Sequence, residues 1–103
     1  MRTTRALIAV AAALMADPRG RHYGYPLSKA TGLRSGAMYP LLKRLLDEGW
    51  VTDGWEPSDI PGRPPRRYYT LTEAGMVGLG ALADRATRAA AAQTTPRLQG
   101  GIA

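Results

Sequence analysis

The sequence predicts a mostly α-helical fold that carries one small antiparallel β-hairpin. Three observations predict it. Apolar residues recur at helical spacing in three separate stretches. Only the region from Trp50 to Leu71 has strand composition, and it encloses a loop rich in Pro, Gly and Asp. A cationic amphipathic stretch, Ser35 to Leu45, stands shortly before that hairpin. A groove-sized helix followed by a basic hairpin is the layout of a winged helix-turn-helix, with a three-helix core, a two-stranded wing and a long C-terminal helix.

The first helix is expected from Thr3 or Thr4 to Ala16. Thr4 suits the N-cap, and Asp17-Pro18 stops the helix. Leu7, Val10, Ala11 and Leu14 fall at i, i+3, i+4 and i+7, the spacing of one packed face. The apolar run Ala6–Ala16, behind Arg2 and Arg5, also has the look of a signal peptide. At 11 residues it is too short to span a bilayer, and it is read here as a core helix.

Arg19-Gly20-Arg21 reads as a turn. A shorter helix follows from about Tyr25 to Thr31, with Pro26 in its first turn and Gly32 at its C′ position. Ser35 is the expected N-cap of a third helix that ends near Glu48, with Gly49 as its left-handed stop. Met38, Leu41, Leu42 and Leu45 give that helix its apolar stripe. Pro40 removes a backbone bond and crowds the carbonyl of Gly36, so a bend or a loosened first turn is expected there.

Trp50 to Trp55 reads as a strand, Glu56 to Pro65 as a loop, and Arg66 to Leu71 as the returning strand. Alternation places Arg67, Tyr69 and Leu71 on one face and Arg66, Tyr68 and Thr70 on the other. Val51, Tyr69 and Leu71 are the expected core side. Thr72 caps a fourth helix reaching about Ala92, with a narrow stripe of Leu79, Leu82, Ala83 and Ala86. Thr94 to Ala103 has the composition of a tail.

The net charge is +6, and residues 1–49 hold eight Lys/Arg against three Asp/Glu. Arg63, Arg66 and Arg67 stand in the hairpin with no acid between them. Such a balance favours a polyanion, with nucleic acid first and an anionic membrane second. Arginine outnumbers lysine 12 to 2, which coding bias explains, but that bias does not explain a net positive charge. With no cysteine, disulfides, thiolate metal sites and a Cys nucleophile are excluded, and the chain suits a reducing cytoplasm.

The third helix is read as entering a major groove, with the hairpin on the adjacent backbone or minor groove. Ser35, Gly36 and Ala37 allow close approach at a helix N-terminus that favours phosphate. Ala37 suits a thymine methyl, Lys43 a guanine edge or a phosphate, and the Tyr39 hydroxyl a phosphate. The bland alternatives are a plain cap for Ser35 and a half-buried core residue for Tyr39. Arg63, Arg66 and Arg67 are the wing contacts, with Lys29 and Arg34 as further phosphate contacts. Arg67 has an alternative over Tyr69 or paired with a hairpin acid. Trp50 and Trp55 are read as core or hairpin packing.

Several segments resemble the PadR-like family of bacterial transcriptional regulators over roughly residues 5 to 76. They are Leu33-Arg34-Ser35-Gly36-Ala37-Met38-Tyr39-Pro40-Leu41-Leu42-Lys43-Arg44-Leu45, then Glu48-Gly49-Trp50-Val51, Trp55-Glu56, and Gly62 to Gly75. Tyr-Pro inside a helix, and Pro-Arg-Arg-Tyr-Tyr before Leu-Thr-Glu-Ala-Gly, are unusual combinations. The resemblance implies a repressor that works as a homodimer, its last helix pairing with the partner's first and last helices. Leu7, Val10, Leu14, Leu79, Leu82, Ala83 and Ala86 are the dimerisation residues this implies. It also implies the short form of the family, with residues 1–72 as DNA-binding domain, 73–93 as dimerisation helix and 94–103 as a flexible tail.

The family's usual His-Gly-Tyr-Glu is here Tyr23-Gly24-Tyr25-Pro26, with His22 one place early. The first and last helices hold no aromatic residue, so no aromatic effector pocket carries over. A small-molecule effector is not indicated, and no cofactor is expected. An enzyme is not expected either. His22 has no nucleophile or spaced carboxylate pair around it, and no phosphate cradle or metal-ligand cluster occurs. The competing reading is a winged-helix module that binds a protein partner and touches DNA weakly and without specificity.

Overall fold

A computed structural model describes the backbone of residues 2–102 and the side chains of residues 2–89. In chain order the elements are α1 (Arg5–Met15), β1 (His22–Tyr23), α2 (Gly24–Thr31), α3 (Ser35–Asp47), β2 (Val51–Glu56), β3 (Arg66–Leu71) and α4 (Glu73–Ile102). Thr4 caps α1 by accepting from the amide of Leu7 at 3.1 Å. The stripe of Leu7, Val10, Ala11 and Leu14 is buried as its spacing requires. It packs against α2, α3 and α4.

The core is completed by Leu27 of α2, Met38, Leu42 and Leu45 of α3, Val51 of β2, Tyr69 and Leu71 of β3, and Leu79 of α4. Each buried Leu or Met contributes about 1.5–3 kcal/mol of transfer free energy, which is why a single helical face per element decides the arrangement. Four residues expected at a subunit interface lie inside this core. Leu7, Val10, Leu14 and Leu79 are 0–1% exposed, because α1 and α4 of the same chain cover each other. Of that set Leu82, Ala83 and Ala86 retain partial exposure.

The turn between α2 and α3 is held by side chains. Gly32 takes the left-handed conformation at φ 73°. The Ser28 hydroxyl donates to the carbonyl of Leu33 at 2.5 Å, and the Leu33 amide donates to the Thr31 hydroxyl at 3.2 Å. The N-cap of α3 is Arg34, not Ser35, and no side chain caps it. Ser35 is already helical and exposed, so its hydroxyl does not play the expected part. The helix continues through Pro40, since Met38, Leu42 and Leu45 anchor both sides of the missing bond. It ends in a Schellman arrangement, the Trp50 amide donating to Leu45 and that of Gly49 to Leu46, with Gly49 at φ 75°.

The sheet has three strands in the order β1-β3-β2, all antiparallel. The hairpin register pairs Val51 with Leu71, Asp53 with Tyr69, and Trp55 with Arg67. The third strand was not expected, since two residues are too few for alternation to mark. It sets His22 opposite Tyr69 and Tyr23 opposite Tyr68. His22 Nε2 lies 2.9 Å from the carbonyl of Asp17 and closes the preceding turn.

Thr72 accepts from the amide of Gly75 at 3.0 Å and donates to the carbonyl of Gly49 at 2.7 Å, joining α4 to the end of α3. The α4 backbone runs on past Ala92 to Ile102, through most of the segment read from sequence as a tail. No Gly or Pro interrupts residues 81–95, and alanine is the strongest helix former.

Candidate nucleic-acid interface

The outward face of α3 is set by its buried one. With Met38, Leu42 and Leu45 turned inward, the exposed positions are Ser35, Gly36, Ala37, Tyr39, Pro40, Lys43, Arg44 and Asp47. No atom lies within 4 Å of the place a Gly36 Cβ would occupy. Pro40 leaves the Gly36 carbonyl without its usual donor. Lys43 pairs loosely with Asp47 at 3.5 Å, both side chains being more than 60% exposed. Such a pair adds little stability, so the ammonium group is free to exchange partners.

Tyr39 is 43% exposed, and a Cβ at Gly24 would strike its hydroxyl. Glycine at the start of α2 is therefore what lets this ring lie across the helix-turn-helix.

The inner face of the wing continues the core outward. Beyond Val51, Tyr69 and Leu71 come Asp53, Arg67 and Trp55. Arg67 donates from Nε at 2.9 Å and from Nη2 at 2.7 Å to one oxygen of Asp53. Its guanidinium lies 5.1 Å from the Tyr69 ring centre and 6.0 Å from that of Trp55. The Asp53 hydrogen bond raises the Arg67 pKa above its ordinary value. Burial raises that of Tyr69. Both alternatives read from sequence for Arg67 are thus realised together. A cleft of about 620 Å³ lies between α3 and β3, lined by Tyr39, Pro40, Lys43, Leu46, Asp47, Arg67 and Tyr69.

Arg66 belongs to the opposite face. It stacks over Tyr23 at 4.0 Å, and Arg21 stacks over Tyr68 at 4.2 Å. Glu56 joins the two stacks by accepting from the Tyr23 hydroxyl and pairing with Arg21 at 3.6 Å. The Glu56 hydrogen bond raises the Tyr23 pKa. Tyr68 lies over Gly54, where a Cβ would come within 2.6 Å of the ring.

Arg63 is exposed in the loop beside Gly62, whose φ is 83°. Arg34 is exposed at the start of α3, and Lys29 is exposed on α2 with its ammonium 5.4 Å from the Tyr25 ring. Thus α3 and Arg67 share one surface, while Arg66 lies behind it. Sequence reasoning missed Asp53, Arg21, Tyr23 and Glu56. Strand alternation would have found Asp53, but Arg21 needed the unexpected β1. Trp50 packs on the core against Gly78, and Trp55 is 63% exposed on the wing.

A helix-turn-helix with a basic β-wing flanking its second helix defines the winged helix-turn-helix class. The Transcriptional regulator PadR-like family matches residues 18–81. The chain therefore belongs to the PadR-like family, whose members are transcriptional regulators and not enzymes. Among solved structures, it is similar to a PadR family transcription regulator from Clostridium difficile, at 23% identity over 92% of this chain and 99% of that one, with a TM-score of 0.69. A PadR-like transcriptional regulator from Bacillus cereus aligns at 24% identity over 89% and 91%, with a TM-score of 0.64. Pex from Synechococcus aligns at 27% identity over 84% and 81%, with a TM-score of 0.62. No curated protein matches. Among the described residues, no cluster of His, Asp and Glu could hold a metal, and no helix is long and apolar enough to cross a membrane.

Proposed function

We propose that this chain is a cytoplasmic, sequence-specific repressor that binds double-stranded DNA as a homodimer. On this reading residues 35–48 enter the major groove and the wing, 56–67, holds the backbone or minor groove. The observation that carries the reading is the shared cleft, with Lys43 of α3 and Arg67 of β3 on one surface. The uncapped N-terminus of α3 supports it, because free first-turn amides and the helix dipole favour a phosphate. Ser35, Gly36 and Ala37 keep side-chain bulk away from that end. Lys29, Arg34 and Arg63 add positive charge at the margins. Arg66 is the least direct contact, since it faces away from α3.

Dimerisation is supported by the shape of the molecule. A compact domain of this length has a radius of gyration of ~13 Å, and this chain has 16.5 Å. The excess comes with α4, whose described side chains beyond Ala86 are exposed. A groove lined by Met15, Met76, Val77, Gly80, Ala81, Ala83 and Asp84 runs between α1 and α4. It offers apolar atoms and small residues to a second helix. Two protomers so joined would present two reading helices to half-sites ~34 Å apart.

Selection of bound sequences from a random duplex pool tests the proposal. A two-fold symmetric site should emerge, and log affinity should fall with log salt by about 0.9 per neutralised phosphate. Absence of binding to any duplex at low salt rejects it. Recovery of a stoichiometric protein partner without an enriched sequence would favour the interaction module instead.

A further inference from the structure

We propose that Asp53 is a positioning residue for DNA binding, holding the Arg67 guanidinium toward the cleft it shares with Lys43 and Tyr39. This rests on the reading of that surface as the DNA interface.

Asp53 and Arg67 stand diagonally across the β2–β3 pair, on the face that continues outward from the core. Two N–H groups of the guanidinium converge on one carboxylate oxygen, and the aromatic rings of Tyr69 and Trp55 flank it. A guanidinium has five N–H donors, and no other described acceptor engages the remaining three. Arg67 lines the cleft with Lys43 and Tyr39 on the facing wall. An arginine free to rotate would lose that freedom on meeting a phosphate, whereas one already held loses less.

A carboxylate beside a polyanion is otherwise a disadvantage, because it repels phosphates and cancels a positive charge. The two effects have opposite signs, so they can be separated. If Asp53 acts only by charge, removing it tightens binding. If it positions Arg67, removing it weakens binding although the protein becomes more positive.

The test uses the full chain and a mixed-sequence duplex long enough for two half-sites, titrated at several salt concentrations. Wild type, D53A, D53N, R67A, the D53A/R67A double variant and R67K are compared, each checked for its thermal midpoint. R67A should weaken binding roughly tenfold and reduce the salt slope by about 1. D53A should weaken binding by roughly three- to tenfold, yet cause no loss when Arg67 is already alanine. D53N keeps an acceptor for the guanidinium and should restore most of the affinity. R67K keeps the charge, loses the fork and should bind more weakly than wild type. It also serves if D53A fails to fold.

The proposal is overturned if D53A tightens binding by the same factor with and without Arg67, or if R67K binds like wild type. Wild-type protein that binds no duplex would instead remove the DNA reading itself.

Discussion

Gly36 is a residue the folded protein does not use for packing. It is exposed in the first turn of α3, its φ is not left-handed, and nothing lies near the site of a Cβ. Gly36→Ala should therefore stabilise the isolated protein by about 0.5–1 kcal/mol, the helix preference of alanine over glycine. If that turn meets DNA closely, the same change weakens duplex binding. Thermal melts and a duplex titration on one sample check both signs, and a variant that is more stable and binds unchanged would dissociate Gly36 from the interface. Much at this scale was legible beforehand. Period-two alternation along Arg66–Leu71 already divided Arg66 from Arg67, and the buried stripes came directly from helical spacing. A hairpin acid for Arg67 was legible, but that it is Asp53 was not, because that depends on which β2 residue stands beside which β3 residue.

At the level of elements, α4 is seated on the end of α3 through two glycines. A Cβ at Gly75 would overlap the carbonyl oxygen of Trp50, and one at Gly78 would come within 2.6 Å of the Trp50 ring. The first obstacle is backbone, so α4 would have to shift from the connection between α3 and β2. Gly75→Ala should cost roughly 1–3 kcal/mol from overpacking, even though alanine is the better helix former by ~1 kcal/mol. At fixed protein concentration the melting midpoint should fall by at least several degrees. An unchanged midpoint would mean the helix docks elsewhere. Together, Gly36 and Gly75 show one residue type under opposite constraints, which only neighbours in space can distinguish. The Thr4 and Thr72 caps and the Gly32 and Gly49 stops were readable from local residues. The cap of α3, by contrast, fell one residue earlier than the expected Ser35, and the Thr72–Gly49 bond joins residues far apart in the chain. The strand β1 was not, since its pairing with β3 is a long-range fact that two residues cannot advertise.

For the whole molecule, the proposed dimer places its burden on the groove between α1 and α4. Val77 is 76% exposed there, so Val77→Asp should leave the protomer folded while preventing association. Sedimentation should then show monomers, and duplex affinity should fall steeply as the second half-site contact is lost. A variant that stays dimeric would move the interface away from this groove. Expectation from sequence placed that interface partly on Leu7, Val10, Leu14 and Leu79. Those four are buried within the protomer itself, and a helical stripe reveals that a face is covered without saying whether its own chain or another covers it. The two tryptophans also have a practical consequence. One lies under α4 at the body of the domain, and the other stands in solvent on the wing beside Arg67. The unlabelled protein thus carries two native fluorophores in different surroundings, and iodide quenching can tell an event at the wing from one at the scaffold.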